Sequence, residues 1–350
     1  MFESDAAVAA LIKTILAQKK DRPDSNFIWL ADEHPIQPAQ MGILPRERLL
    51  FISNRFDQHE LAVSKGILSR FSDFEIKSED KPEELFIRVP KERPLTHFLL
   101  NQASKYLSVG GKLWLFGYKN EGIKTHIKRA SALLDSTANV SKGKNQLSIA
   151  CLKKNSDNTE LLSDEDYLNL RQIEHPEIKP FWSKPGIYGW DKIDAGSDFL
   201  IDTLSTHEDS KEGLRILDIG CGYGYLSLWA AQKKPTLLTA TDNCFGALEA
   251  ASKNLEAAGA EVQASNAGDR IIGEYDLILS NPPFHQGFTT TPDLHQRFLK
   301  NTHRLLGNKG IAWFVVNQFL PLEKVACENH LIPEEIARGK GFKVLRLTPL

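Results

Sequence analysis

Cysteine is scarce: four residues at 151, 221, 244 and 327 form no C-x-x-C pair and no disulfide framework, which excludes a small secreted scaffold and fits a reducing compartment. Long apolar runs are missing too. Ile311 to Val316 is among the longest, far too short to cross a bilayer. The order of a signal peptide, basic then apolar, is also missing, because Met1 to Lys20 patterns as an amphipathic helix with Ser4 and Asp5 near its start and Lys19 and Lys20 at its end. A soluble cytoplasmic protein with no membrane partner is expected. No excess of either charge exists: a net charge of -2 and a pI of 6.6 exclude a broad basic surface that coats nucleic acid non-specifically. No His, Cys, Asp and Glu cluster has metal-ligand spacing, so no metal is expected.

What is present is an ordinary globular composition, 41% hydrophobic and 25% charged, on a chain of 350 residues, longer than one core usually grows. Two domains are expected. One local basic stretch stands out, where Lys119, Lys124, Lys128, Arg129, Lys142, Lys144, Lys153 and Lys154 face only Glu121 and Asp135. It reads either as a solvated helix face with a lysine-rich loop or as an RNA-facing patch.

The C-terminal half alternates strand and helix signals as a parallel sheet does. Strands are expected at Leu214 to Ile219, Thr236 to Thr241, around Val262, at Tyr275 to Ser280 and at Ile311 to Val316, with Lys343 to Leu347 as a late addition. Helices fall at Tyr225 to Gln232, Cys244 to Ala258 and Pro292 to Leu306. The fold class is α/β, a doubly wound sheet with its ligand crevice at the carboxyl ends of the first strands. The N-terminal half shows strands near Phe27 to Leu30, Leu49 to Ile52, Leu85 to Val89 and Lys112 to Phe116. Lys105 to Phe116 aligns without gaps on Arg304 to Val315, each passing from a helix end through a glycine into a strand that holds Trp114 or Trp313. Duplication explains this, although two generic α/β units could converge on it. The first copy has no glycine loop after Leu30, and Val89-Pro90-Lys91 stands where the second has Asn281-Pro282-Pro283. A degenerate, non-catalytic first domain is implied over residues 1–160. A polar, then proline-bearing linker is expected over 161–185, and a catalytic domain over 186–350.

Leu217-Asp218-Ile219-Gly220-Cys221-Gly222-Tyr223-Gly224 lies between an apolar strand and a helix. The glycines permit a tight turn and close approach of a ligand. A bare G-x-G-x-G is a weak signal, but the next strand ends in Asp242, whose carboxylate can accept both hydroxyls of a ribose. A nucleoside site follows. The spacing is not the G-x-G-x-x-G of a pyrophosphate loop, and an acid at its head would repel a pyrophosphate while suiting an ammonium and a sulfonium. S-adenosylmethionine is therefore expected rather than NAD. Asp218 could alternatively only cap the loop.

Ser280-Asn281-Pro282-Pro283-Phe284-His285 follows the strand from Tyr275. Two prolines make a rigid turn that presents carbonyl acceptors. The side-chain oxygen of Asn281 and the carbonyl of Pro282 can each take an N–H of a conjugated amine, drawing its lone pair out of delocalisation and towards a methyl donor, while Phe284 stacks on the base. A turn without chemistry would need the prolines but neither Asn281 nor Phe284.

Together these motifs resemble the amino-methylating class I methyltransferases, and the chain with its degenerate first domain resembles the bacterial small-subunit (16S) ribosomal RNA guanine-N(2)-methyltransferases. Pro185 to Ser197, Ala264 to Asn266, Ser280 to His285, Asn317 to Pro321 and Gly341 to Arg346 carry the likeness. It implies two tandem class I methyltransferase-like (Rossmann-like) domains. It implies that Asp218, Gly220, Cys221, Gly222 and Gly224 hold the methionine part, that Asp242 with Asn243 holds the ribose, and that Asn266 lies at the adenine, where many relatives carry an aspartate. Asn281 would touch both cofactor and amine. Tyr188 and Asp194 would cover the pocket or pack between domains, and His285 would face the substrate or satisfy itself locally.

The implied activity is methyl transfer to a guanine 2-amino group in small-subunit ribosomal RNA, by a monomer acting on an assembled 30S particle. The His285-Gln286 pair fits large-subunit guanine methyltransferases equally. An adenine or glutamine amine would share the tetrad, though Phe284 in place of their common tyrosine favours guanine. A non-catalytic assembly factor is the alternative of another class.

Overall fold

Apolar runs bounded by turn residues become parallel strands in both halves of the chain. The structure, a computed structural model, describes residues 5–157, 160–174, 180–207, 212–283 and 292–350, the side chains at 292 and 293 excepted. Its two compact units are residues 1–169 and 170–350.

The first unit holds β1 Phe27–Ala31, β2 Leu49–Ser53, β3 Leu68–Phe71, β4 Glu84–Arg88, β5 Lys112–Tyr118, β6 Asn139–Lys142 and β7 Leu147–Lys153 in the order β3-β2-β1-β4-β5-β7-β6. The first five run parallel, and β7 is antiparallel to both its neighbours. Helices α1 Ala6–Asp21, α2 Pro38–Gly42, α3 Phe56–Ser64, α4 Arg93–Tyr106 and α5 Ile123–Leu133 accompany them. Because both faces of a parallel sheet are covered, its central strands are largely apolar, as Phe27 to Ala31 of β1 and Leu85 to Ile87 of β4 are. Ile28, Leu30, Leu85 and Ile87 pack with Leu99 of α4, while Phe27, Trp29 and Phe86 pack with Leu11 and Ile15 of α1. Asp5 caps α1, accepting from the Ala7 and Val8 N–H groups at 2.6 and 3.3 Å.

The second unit opens with a hairpin, β8 Arg171–Ile173 and β9 Phe181–Ser183, and α6 Ala195–His207. There follow β10 Arg215–Ile219, α7 Tyr225–Ala231, β11 Leu237–Asp242, α8 Phe245–Leu255, β12 Glu261–Ala264 and β13 Tyr275–Ser280. The unit ends with α9 Pro292–Leu305, β14 Leu306–Asn317, α10 Leu322–Glu328, β15 Leu331–Gly339 and β16 Phe342–Pro349. The strand order is β12-β11-β10-β13-β14-β16-β15, the same permutation as in the first unit, again with one strand, β16, antiparallel to both its neighbours. The expected late strand lies in β16, beside β14.

The duplication shows at single residues. Gly111 and Gly310 are aligned, and each is a glycine for the same reason: a Cβ would come within 3.1 Å of the Glu83 carbonyl in one and 2.8 Å of the Tyr275 carbonyl in the other. Trp114 pairs with Phe86, which pairs with Trp29, while Trp313 pairs with Leu279, which pairs with Asp218. The first copy thus carries a buried indole at the register position of the loop acid.

The polar stretch expected as a linker is built into the two units. Tyr167 stacks on Phe98 with ring centroids 5.2 Å apart and donates to Asp73, and Asn101 clamps the backbone of Leu162 through both ends of its amide. Its polarity serves side-chain to backbone bonds. Lys154, expected in the basic stretch, does not belong there: it is 2% exposed and its Nζ donates to the carbonyls of Ser104 and Leu107 at the end of α4. Lys119, Lys124, Lys128, Lys142, Lys144 and Lys153 are exposed. Among the described residues no helix is long and apolar enough to cross a membrane.

Gly310→Ala is expected to destabilise the protein by ~1–3 kcal/mol, because the new methyl meets backbone that cannot swing aside. Gly111→Ala should cost less. Thermal unfolding of the two variants checks this; a wild-type midpoint for Gly310→Ala would remove the close-approach argument.

Candidate active site

Three neighbouring strands, β11, β10 and β13, deliver Asp242, the glycine loop and Asn281 to one edge of the sheet. Ser280 Oγ donates to the Ile219 carbonyl at 2.8 Å, which ties the end of β13 to the end of β10. The loop then turns through positive φ at Gly220, Gly222 and Gly224. Among the described residues nothing lies within 4 Å of where a Gly222 Cβ would project, which leaves room there for a ligand to approach the backbone.

The loop uses its donors inwardly. The N–H groups of Gly220 and Cys221 both bond the Thr241 carbonyl, Gly222 donates to Asp242 Oδ2 at 3.0 Å, and Gly224 donates to the Cys221 carbonyl. A pyrophosphate cradle needs such donors pointing outwards. These four point elsewhere. Each Asp242 oxygen holds one backbone N–H, the other from Cys244 at 2.8 Å, and keeps a second lone pair.

Asn281 stands at the end of β13, half-buried. Its Nδ2 donates to Asp194 Oδ2 at 2.7 Å and to Ser197 Oγ at 2.9 Å. Pro282 is buried and Pro283 exposed. Asn243 and Asn266 are buried, the backbone N–H of Asn266 bonding Asp269. Tyr188 is 79% exposed, whereas Asp194, grouped with it in the sequence, reaches Asn281. Phe284 and His285 lie outside the described residues.

Sequence reasoning missed several parts. Ser227 on α7 donates to Asp218 Oδ2 at 2.6 Å. Phe181 of the hairpin stacks on Tyr223 with centroids 4.5 Å apart, and Asn254 bonds the carbonyls of both Trp182 and Tyr223, so the hairpin braces the glycine loop. His295 is buried on α9; burial lowers its pKa against a hydrogen bond to the Pro283 backbone. The hairpin contacts join segments 31 to 72 residues apart and carry no spacing signal. Ser227 lies only nine residues from Asp218, in the first turn of the helix that follows the loop, and could have been found from that placement.

The Methyltransferase small domain family matches residues 179–346. The ribosomal RNA small subunit methyltransferase C of Marinomonas sp. strain MWYL1 is 29% identical over 75% of this chain and 76% of its own length. That of Enterobacter sp. strain 638 is 32% identical over 73% of each chain. The chain belongs to the ribosomal RNA small subunit methyltransferase C family. A solved structure described as the T. thermophilus 16S rRNA N2 G1207 methyltransferase in complex with AdoMet and guanosine shares the fold, with a TM-score of 0.84 at 22% identity over 99% of this chain and 92% of that one.

In this methyltransferase C chain the acid of the loop is under electrostatic load. Asp218 is 0% exposed, one oxygen is held by Ser227, and Oδ1 is buried with no hydrogen-bond partner among the described residues. Burial pushes its pKa up to about 7, the nearby charge of Asp242 adds to the rise, and the Ser227 bond opposes it.

A folded-state pKa above the unfolded one means that Asp218 favours folding below about pH 4 and that this contribution is lost as pH rises through about 7. Asp218→Asn, which keeps an acceptor for Ser227, should therefore gain on the wild type in unfolding free energy between pH 4 and pH 8, by up to ~4 kcal/mol. Denaturant titrations of the two ligand-free proteins at several pH values check it. A constant difference across that range would place the Asp218 pKa near its ordinary value.

Proposed function

We propose that the second unit transfers a methyl group from S-adenosylmethionine to the 2-amino group of a guanine in small-subunit ribosomal RNA, in the cytoplasm. One observation carries the proposal: the Asn281 carboxamide is anchored by its nitrogen, and among the described residues no group donates to its oxygen, which is left to accept an N–H at the edge of the glycine loop. The names of the relatives point to small-subunit RNA, and the T. thermophilus protein is described with AdoMet and guanosine bound.

The residues fit such a cofactor. An unpartnered buried carboxylate oxygen at Asp218 suits a cationic ligand, the open space over Gly222 admits it, and the free lone pairs of Asp242 suit a ribose. Asp218, Gly220, Cys221, Gly222 and Gly224 would hold the methionine part, Asp242 and Asn243 the ribose, and Asn266 the adenine. When bound, the cofactor supplies an electrophilic methyl group. Asn281 Oδ1 and the Pro282 carbonyl take the two N–H groups of the guanine amine, which brings its lone pair out of conjugation and holds it for displacement. Phe284, next in the chain after Pro283, supplies a stacking face. The base must be unpaired or flipped out to reach them. The methylated ammonium is acidic and loses its proton to water, so no strong base is required.

The first unit lacks these features and is proposed to hold RNA. Trp29 fills the register position of Asp218. Strand pairing shifts the expected alignment by one residue, so that Arg88 rather than Val89 stands at the position of Asn281, and Arg88 is locked by a bidentate pair with Glu121 at 2.6 and 2.7 Å.

Tritiated S-adenosylmethionine offered to 30S subunits, 50S subunits and naked RNA, followed by nucleoside analysis, should label N2-methylguanosine in 30S subunits. Label in 50S subunits, on adenine or on protein would move the acceptor, and no label anywhere would favour an assembly factor. In the same assay Asn281→Ala should bind cofactor nearly as wild type and lose turnover by ~100-fold or more. Unchanged turnover at saturating substrate would refute the amine-holding role.

Reversing Lys124 and Lys128 to glutamate should weaken RNA binding and flatten its salt dependence, by about one unit of log-log slope for each lysine that meets a phosphate in the wild type, with cofactor affinity as the control. An unchanged slope would make these lysines a solvated face.

A further inference from the structure

We propose that Asp194 is a positioning residue that fixes which way round the Asn281 carboxamide lies, with Ser197 as its helper. The inference rests on the reading of Asn281 as the group that holds the amine. A carboxamide is nearly symmetric in shape but not in chemistry. With oxygen outwards it accepts an amine N–H; turned over, it presents a second donor to a donor and repels the substrate. Nothing in the Asn281 side chain itself decides between the two.

The surroundings decide it. Asp194 Oδ2 lies 2.7 Å from the amide nitrogen, and a carboxylate oxygen only accepts. Ser197 Oγ, at 2.9 Å, takes the second amide hydrogen. Both N–H groups are thereby used, and among the described residues no group donates to Oδ1. Turning the amide over would set oxygen against oxygen at Asp194, an uncompensated contact in a half-buried place.

Asp194 is itself immobilised. It precedes α6, its Oδ2 accepts the Ser197 N–H at 2.9 Å, and its carbonyl accepts the Asp198 N–H, the two contacts of a helix cap. Gly196 is a glycine because a Cβ there would meet Asp194 Oδ2 at 3.0 Å and the Phe342 ring at 2.9 Å. Three of the stretches singled out in the sequence, 185–197, 280–285 and 341–346, thus converge on one carboxylate.

The first unit carries the same device with its output removed. Asp5 caps α1, which opens that unit as α6 precedes the sheet of the second, and Arg88 follows Phe86 by two residues as Asn281 follows Leu279. Arg88 Nε donates to Asp5 Oδ2 at 3.1 Å. The capping acid and its reach to the strand end persist, but a guanidinium has no acceptor to present. An acid that served only its helix would need no partner at the strand end in either copy.

The test separates capping from positioning. Serine caps helices as well as aspartate but cannot reach Asn281, and asparagine both caps and reaches. On 30S subunits, Asp194→Ser is expected to lower kcat by ~10- to 100-fold with KM and S-adenosylmethionine affinity within about threefold of wild type. Asp194→Asn should recover kcat to within about threefold. Wild-type kcat in Asp194→Ser, equal losses in both variants, or loss of thermal stability and cofactor affinity in step with kcat would each overturn the proposal. Full turnover by Asn281→Ala would overturn instead the reading on which it rests.

Discussion

At the head of the glycine loop stands a carboxylate that the protein buries and, among the described residues, satisfies at only one of its two oxygens. Parallel pairing brings the carboxyl ends of β10, β11 and β13 side by side, and the strand ends carry Asp218, Asp242 and Asn281 with them. Backbone N–H groups could have answered the Asp218 charge, but the loop directs its own to Thr241, Asp242 and Cys221. What remains is a pocket rich in acceptors and poor in donors. Such a pocket rejects phosphate and favours a ligand that is positive or offers N–H groups. A sulfonium-bearing cofactor and an aromatic amine meet those two requirements from opposite sides, which is why one strand arrangement can serve both.

The two copies show how little separates a catalytic from a non-catalytic version of one fold. Strand order, the glycine beside the neighbouring carbonyl and the capping aspartate are common to both. The differences lie at strand ends. An indole at Trp29 occupies the register position where Asp218 stands, and the ion pair of Arg88 with Glu121 and Asp5 closes the position where Asn281 stays open. Buried, paired charges hold the first unit together where the second keeps unmet charge for a ligand. Stability and chemistry make opposite demands on the same positions.

The enzyme class and cofactor were legible in the sequence through local features: a glycine loop between an apolar strand and a helix, an acid at the next strand end, and an Asn-Pro-Pro turn, which the strand order brings to one edge of the sheet. Most of the expected helices and strands there followed closely, but β14 begins at Leu306, five residues before the expected Ile311, α8 ends at Leu255 rather than Ala258, and the short α10 and the helix α6 were not expected. The hairpin of β8 and β9 was not legible. Its strands are three residues long, and it exists through the stack of Phe181 on Tyr223 and the grip of Asn254, contacts that no local pattern announces. Strand β15 escaped because it is an edge strand with Pro333 and mostly exposed side chains, so its alternation is weak. Asp194 could be placed near the site only by resemblance, and its partner, 87 residues away, was visible only in space.

The acidity of the pocket also constrains how RNA can be held. Every nucleotide brings a phosphate, and a site containing Asp218 and Asp242 attracts none of them. A neutral base can enter, but its backbone must be bound elsewhere, by cations that do no chemistry. The chain has a net charge of only -2, so those cations cannot come from a general basic surface. They have to be concentrated, and the exposed lysines of the first unit, at 119, 124, 128, 142, 144 and 153, are the candidates under the proposed function. A unit freed from binding a cofactor can carry positive charge that would spoil the catalytic pocket if placed there. If the first unit holds RNA as proposed, a second copy of the fold that binds no cofactor separates two electrostatic demands that conflict in a single domain acting on a polyanionic substrate.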